Sequence, residues 1–203
     1  RTLQLLRVYD LTEDVQGDPH ALLETLQVII DREPTADKVY AFAELAYLAG
    51  RQAESRDPTG AVNLYGAAVM RAYEYLFDPR LYATRNPYDP QFRGACELYN
   101  GSLEALLRMA NRHGELIVGT TRTIHTAAGD CDVSAVLRDT RWQARDIDRF
   151  EFVSDYEIRG LKNHYRSHGL GVPLIAVRRS YEGEPAVAKH YPVDLSFPVT
   201  AFF

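Results

Sequence analysis

Apolar side chains recur every three or four residues through much of the first half of the chain, which is the spacing of one helix face. This spacing follows each of three Asp-Pro pairs, Asp18-Pro19, Asp57-Pro58 and Asp89-Pro90. Asp can accept hydrogen bonds from the free N–H groups of a first turn, and Pro at the first helical position loses only a donor that has no partner there. Each pair therefore predicts a helix start. The apolar positions of the three helices are Leu22, Leu23, Leu26, Ile29 and Ile30; Val62, Tyr65, Val69, Tyr73 and Leu76; and Phe92, Cys96, Tyr99, Leu103, Leu106 and Ala110.

A fourth helix is predicted from about Thr35 to Ala53, where apolar residues occupy more than one side. With the helix after Pro58 it predicts an antiparallel helical hairpin. The small-aromatic-small spacing of this hairpin resembles the second helix of a tetratricopeptide repeat, and its first helix resembles that repeat more loosely. The residues that carry the resemblance are Ala61, Tyr65 and Ala68, and Ala43, Leu45 and Gly50.

After Gly114 the pattern changes to short runs rich in β-branched and aromatic residues. The segment RTIHTAAGDCDVSAVL predicts two strands around Ala128-Gly129-Asp130, and its inward-facing candidates are Ile124, Val133, Val136 and Leu137. Further strands are predicted at Phe150–Val153, Val172–Arg179 and Ser196–Phe203. Helices followed by strands indicate an α+β class, with antiparallel helical hairpins in residues 1–114 and a small, mostly antiparallel sheet in residues 115–203.

The last strand ends on two adjacent phenylalanines, without a polar turn or a charged tail. Unprotected apolar strands tend to recruit other strands, so natural domains seldom leave them bare. We expect the β-rich region to continue beyond Phe203, and we expect Phe202 and Phe203 to contact that downstream part of the polypeptide.

Charge and motif content exclude several classes of function. The formal net charge is −5 and no block of five Lys or Arg occurs, which excludes a nucleic-acid partner of the usual basic kind. No apolar run approaches the roughly 18 residues of a membrane span, so no transmembrane segment is expected. Cys96 and Cys131 lack CxxC spacing and are interpreted as small buried apolar residues. No cofactor is predicted, since glycine fingerprints for dinucleotides or phosphates are absent.

The segment SHGLGVPLIAVRR contains His168-Gly169-Leu170-Gly171, which resembles the oxyanion loop of many lipases. In an α/β-hydrolase that loop follows a core strand, because its N–H groups must reach the nucleophile at the carboxyl end of the strand. Here the glycines precede the strand that begins at Val172. We therefore interpret them as a tight turn into that strand.

Neither a nucleophile nor a metal site is predicted. The chain has no Gly-x-Ser-x-Gly elbow, and its nearest sequence, Gly101-Ser102, lies inside a predicted helix. His164 and His168 would share a face only on a helix, and their segment has the pattern of a loop. Asp130, which with Asp132 could form a carboxylate pair, is explained by turn chemistry.

Tyrosines are abundant, and their positions divide them into two groups. Those on predicted helices are assigned to core packing, because a phenol couples a large apolar ring to a polar tip; they are Tyr40, Tyr47, Tyr65, Tyr73, Tyr75 and Tyr99. Tyr82 and Tyr88 lie in the loop Asp78–Asp89, which is a candidate recognition surface. The predicted docking residues are Tyr82, Tyr88, His168, Phe202 and Phe203.

Several lineage-specific blocks resemble the N-terminal region of large bacterial lipase-like or esterase-like α/β-hydrolases. They are YAFAELAYLAGRQ, LFDPRLYATRNPYDPQFRGACELYN, and FEFVSDYEIRGLKNHYRSHGLGVPLIAVRR with SFPVTAFF. The resemblance implies that the catalytic serine, acid and histidine lie downstream of Phe203. This chain would then be a non-catalytic accessory region that docks on the core or shapes access to it.

Two other classes of function stay open from the residues. The tetratricopeptide-like spacing is typical of a module that binds a protein or peptide partner in a groove between helices. A small enzyme using His164, His168 and nearby carboxylates such as Asp155 and Glu157 is the third hypothesis.

Overall fold

A computed structural model describes residues 1–14, 17–111, 118–138, 142–156, 169–179, 192 and 195–203. The helices are α1 Thr2–Val8, α2 Pro19–Arg32, α3 Ala36–Ala53, α4 Pro58–Phe77 and α5 Pro90–Asn111. The strands are β1 Thr121–Thr126, β2 Gly129–Ser134, β3 Ile147–Phe152, β4 Val172–Arg178 and β5 Ser196–Ala201. This order confirms the α+β class. The short helix α1 has no counterpart among the predicted elements.

The three Asp-Pro pairs start helices α2, α4 and α5, as predicted. Asp18 accepts a hydrogen bond from the backbone N–H of His20 at 2.9 Å. Asp57 accepts one from Gly60 and Asp89 one from Gln91, both at 2.9 Å. Each carboxylate therefore satisfies an N–H group that the helix itself leaves without an acceptor.

The chain forms two compact units. One contains residues 1–116 and 121–133 together with Phe203, and the other contains residues 117–120 and 134–202. In the first, which we call the helical unit, α3 and α4 form the predicted antiparallel hairpin, since Tyr40 contacts Tyr75 and Tyr47 contacts Tyr65 with ring centroids 5.9 and 5.8 Å apart. Helix α5 packs along α4 and is antiparallel to it.

The burial of the helical tyrosines follows the prediction in part. Tyr65, Tyr75 and Tyr99 are buried, and Tyr40 and Tyr47 are half-buried. Tyr73 is exposed, so the assignment of this residue to the core is wrong. It lies on α4 beside Phe77, with ring centroids 4.7 Å apart. Position on a helix is thus not enough to predict which tyrosines become buried.

The β1–β2 hairpin belongs to the helical unit rather than to the second unit. Its two strands are present as predicted, but the turn is at Ala127-Ala128 and not at Ala128-Gly129-Asp130, because Gly129 and Asp130 are the first residues of β2. Ile124 is buried against α4 near Gly66, and the backbone N–H of His125 donates to Asn63 Oδ1 at 3.2 Å. Val136 is exposed and lies beyond the end of β2, so its predicted inward orientation is wrong.

The second unit, which we call the sheet unit, contains an antiparallel sheet of order β3-β4-β5. Ala176 of the central strand β4 is opposite Phe150 on β3 and Phe197 on β5. The apolar run of β4 is largely buried. The ring of Trp142 stacks on that of Phe197, with centroids 5.5 Å apart.

Gly171 explains why two glycines precede β4. Its φ is +102°, and a Cβ atom would lie 2.6 Å from Thr200 Cγ2 and 2.8 Å from the carbonyl oxygen of Ala201. Only glycine tolerates both this backbone conformation and the close approach of β5. The interpretation of the segment as a turn into the strand is confirmed for Gly171, and His168 lies outside the described residues.

None of the helices in the described part of the chain combines the length and the apolar character that membrane crossing requires.

Candidate functional site

Four of the five predicted docking residues lie within the described residues, and all four are exposed. The exposed fractions are 65% for Tyr82, 96% for Tyr88, 55% for Phe202 and 37% for Phe203. The fifth, His168, lies outside the described residues. Tyr82 and Tyr88 share the loop between α4 and α5, and Phe202 and Phe203 follow β5.

The loop that carries Tyr82 and Tyr88 is held by side-chain hydrogen bonds along its length. Asp78 caps the short turn that begins at Pro79, and Leu81 is buried. Thr84 Oγ1 accepts the backbone N–H of Ala36 at 3.0 Å, which ties the loop to the start of α3. These contacts order the backbone from which the tyrosines project.

Arg85 and Asn86 make three further contacts that hold this loop. The guanidinium of Arg85 donates to the backbone carbonyl of Tyr75 and lies 4.7 Å from the ring centroid of Tyr82. Asn86 Oδ1 accepts the backbone N–H of Tyr88 at 3.0 Å, as in an Asx turn. The ring of Tyr82 therefore has a fixed cationic neighbour, and the backbone of Tyr88 is constrained although its side chain is almost fully exposed.

Phe203 belongs to the helical unit. Its backbone N–H donates to the hydroxyl oxygen of Tyr99 at 2.7 Å, and its ring centroid lies 5.8 Å from that of Tyr73. Burial raises the pKa of Tyr99. Tyr99 therefore holds the Phe203 backbone and Tyr73 contacts its ring, which is still partly open to solvent.

A cleft of about 180 Å³ lies between α2, α3, α4 and the end of β1. Its apolar residues are Leu23, Phe42, Leu64, Ala67 and Ala127, and its polar residues are His20, Glu24, Asn63, His125 and Thr126. The apolar residues on the helices are buried, whereas His20, Glu24 and His125 are exposed. The cleft therefore has an apolar floor and a polar rim, and no prediction from the sequence included it.

His125 is paired with a carboxylate across the hairpin. Its Nδ1 atom lies 2.7 Å from Asp130 Oδ1, and both side chains are exposed. Thr123 donates in the same way to Asp132 at 2.6 Å. Asp130 is therefore more than a turn residue, which corrects its interpretation. A two-residue turn at Ala127-Ala128 places His125 opposite Asp130, so the hairpin register was a signal that could have found this pair.

The chemistry of this pair is limited by what surrounds it. A carboxylate on Nδ1 orients an imidazole and leaves Nε2 as a proton acceptor. No hydroxyl or thiol is hydrogen-bonded to the His125 ring in the part of the chain that the structure describes. Ser102, the nearest sequence to a nucleophile elbow, is buried within α5. The arrangement can accept hydrogen bonds from a ligand, and the described residues provide it with no attacking group.

Metal and thiol chemistry have no evident site among the described residues. No group of three or more His, Cys, Asp or Glu side chains within them is arranged to hold a metal ion. His164 and Glu157, two of the residues in the small-enzyme hypothesis, lie outside the described residues. Cys96 and Cys131 are free thiols and are half-buried rather than fully buried, and burial raises the pKa of Cys96.

No protein-family model, curated protein or solved structure matches this chain. The geometry above and the sequence blocks that resemble the hydrolases are thus the basis for a function.

Proposed function

We propose that this chain is a non-catalytic accessory region that docks on the catalytic core of a lipase-like or esterase-like serine hydrolase. The observation that carries the proposal is the ordered loop Asp78–Asp89, which presents Tyr82 and Tyr88 to solvent. Rigid exposed aromatics are typical of binding surfaces, because a tyrosine contributes a large contact area and loses little conformational entropy on binding.

The energetics of the loop Asp78–Asp89 support docking. The exposed rings of Tyr82 and Tyr88 bury little apolar surface in this chain and so add little to its stability. The hydrogen bonds of Asp78, Thr84 and Asn86 nevertheless hold the loop in this conformation. A partner that covers the rings gains their burial without having to order the loop first. The identity of that partner as a hydrolase core comes from the resemblance, which implies a catalytic triad downstream of Phe203.

The first test is chemical. The reading frame beyond Phe203 should encode a Gly-x-Ser-x-Gly elbow, and the full polypeptide should hydrolyse a chromogenic ester that the 203-residue chain leaves intact. A continuing frame without the elbow, or ester hydrolysis by the 203 residues alone, would contradict the proposal.

The second test locates the contact. Backbone hydrogen exchange in the loop Asp78–Asp89 should be slower in the full polypeptide than in the 203-residue chain. Replacing Tyr82 and Tyr88 together by Ala should remove this difference. Leu48→Ala is the matched control, since Leu48 is an exposed apolar residue on α3 outside the loop. Equal protection with and without the two tyrosines would mean that the loop is not the docking surface.

The second candidate is a tetratricopeptide-like module for another protein or peptide partner. It is favoured by the interior of the hairpin, where Ala61, Tyr65 and Ala68 are fully buried. A Cβ atom on Gly50 would lie 2.9 Å from the Tyr65 ring, so the small residue on α3 provides the space that the aromatic residue on α4 fills. Because β1 lies on α4, a groove would have to use the other helical faces. Affinity purification that recovers a protein other than a hydrolase would favour this candidate.

A further inference from the structure

The cleft between α2, α3, α4 and β1 has a size that suits one side chain. Its volume of about 180 Å³ corresponds to about six water molecules at roughly 30 Å³ each. Pockets for cofactors and drug-sized ligands start at about 300 Å³. A single long side chain of a bound protein is therefore a better match than a free cofactor.

The apolar floor of the cleft favours a side chain with a long apolar stem. Leu23, Phe42 and Leu64 are buried and contribute apolar surface. An occupant gains most here if it carries several methylene groups. Leucine and lysine both meet this condition. The groups at the rim therefore determine whether a side chain with an apolar or a charged end binds better.

The rim provides hydrogen-bond acceptors and negative charge. Glu24 contributes a carboxylate to the rim. Asp130 does not line the cleft, but its carboxylate lies 2.7 Å from the rim residue His125 and adds negative charge beside it. In the tautomer in which Nδ1 of His125 donates to Asp130, the lone pair of Nε2 can accept a hydrogen bond. These groups match an ammonium ion, which has three donors and no acceptor.

Two sources of positive charge near the cleft, the guanidinium of Arg71 and the start of α2, are compensated. The guanidinium of Arg71 lies 5.3 Å from the ring centroid of Phe42 and forms an ion pair with Glu74. The positive end of the α2 dipole is capped by the carboxylate of Asp18. The net charge of −5 adds a long-range attraction for a cationic partner.

We propose that this cleft binds one lysine side chain of the docking partner, with the methylene stem on the apolar floor and the ammonium group between Glu24 and His125. Lysine is preferred to arginine because its compact charge needs no bidentate carboxylate and its stem of four carbons fits the floor. This inference rests on the proposed docking function, to which it adds a second contact outside the tyrosine loop.

The test uses the 203-residue chain and short capped peptides, so that it does not depend on the identity of the partner. A glycine-lysine-glycine peptide with blocked ends is titrated while amide resonances are followed by NMR. We expect shifts at Glu24, Asn63 and His125 that saturate, and no such shifts with the norleucine peptide, which has the same stem without the charge.

Variants distinguish an effect of charge on lysine binding from an effect on folding. Glu24→Gln and Asp130→Asn should each weaken lysine binding by about two- to fivefold, because exposed charge pairs contribute up to about 1 kcal/mol. Glu97→Gln, which removes an exposed carboxylate on α5, should leave the affinity unchanged. Helix content measured by circular dichroism should stay the same in all three variants.

Three outcomes would overturn the inference: no shifts at the cleft, equal binding of the lysine and norleucine peptides, or equal binding of an arginine peptide. Each of these concerns the cleft alone and leaves the hydrogen-exchange test of Tyr82 and Tyr88 intact. Lysine binding could saturate while hydrogen exchange in the tyrosine loop is no slower in the full polypeptide. That combination would reject the docking proposal and leave the lysine-binding cleft supported.

Discussion

In the helical unit, three of the long helices begin where an aspartate accepts a backbone hydrogen bond, whereas in the sheet unit β4 begins where Gly171 allows β5 to pass closely. The first arrangement depends on residues two or three positions apart. The second depends on residues almost 30 positions apart, Gly171 and Thr200. The comparison shows that starting a helix needs only local chemistry, while starting this strand needs a neighbour brought close by folding.

The largest effect should come from the aromatic interior of the helical unit. Tyr65→Ala should lower the free energy of unfolding by about 3–5 kcal/mol, as other large aromatic truncations in cores do. Urea unfolding followed by far-ultraviolet circular dichroism measures this loss. Tyr88→Ala is the same substitution at an exposed residue and should change stability by less than about 0.5 kcal/mol. Similar losses for the two variants would contradict the burial of Tyr65.

A pair of glycine variants tests the entry to β4. Gly171→Ala should destabilise the sheet unit by about 1–3 kcal/mol, because alanine at a φ of +102° is strained and its Cβ meets Thr200. Limited proteolysis between β4 and β5, together with chemical denaturation, would report the change.

Gly169→Ala is the matched control for that experiment. Among the described residues, no atom outside the immediate chain neighbours lies within 4 Å of a Cβ at Gly169, so the variant should behave like the original chain. If both variants were equally destabilised, the effect would come from the flexibility of the segment and not from the approach of β5.

Alkaline pH should destabilise the helical unit, because its buried Tyr75 resists losing a proton. Burial, reinforced by Asp89 and Asp37, raises the pKa of Tyr75 from 10.0 to about 12. Below pH 10 the phenol is protonated in both the folded and the unfolded chain, and its contribution is complete. Between pH 10 and about 12 the unfolded chain loses the proton first, so the contribution of Tyr75 to the free energy of unfolding falls by at most about 1.4 kcal/mol per pH unit.

Thermal unfolding at increasing pH, with tyrosinate absorbance as the second signal, measures this effect. Tyr75→Phe should reduce the pH dependence above pH 10, and the part that is left belongs to Tyr40, Tyr65 and Tyr99, whose pKa values burial also raises. The variant Tyr88→Phe should leave it unchanged, since the Tyr88 ring is almost fully exposed. An unchanged slope in Tyr75→Phe would assign the alkaline loss to other groups.

Helix caps should give the smallest effects. Asp18→Ala and Asp57→Ala should each cost about 1 kcal/mol, because each leaves a first-turn N–H group without its acceptor. Thr35 occupies the same position before α3 but makes no side-chain cap hydrogen bond. Thr35→Ala should therefore cost less than either aspartate variant in the same unfolding measurement.

In the candidate site too, some features depend on residues close together in the sequence and others on residues that folding brings together. Tyr82 and Tyr88 are predictable as exposed because Pro and Asn define their loop. His20 and Glu24 have the spacing of one helix face, yet their sequence does not indicate that β1 lies beside them. The partnership of His125 and Asp130 was within reach of sequence analysis through the hairpin register, whereas the cleft that they border was not.

The sequence alone determines the α+β class, three of the helix starts and the presence of the β1–β2 hairpin, because these depend on backbone preferences and hydrogen bonds over a few residues. Only the tertiary structure decides that the hairpin belongs with the helices, that Tyr73 is exposed while Tyr65 is buried, and that a cleft forms beside His125. The physical reason is that burial depends on which surfaces meet, and apolar faces of similar composition can meet in more than one way.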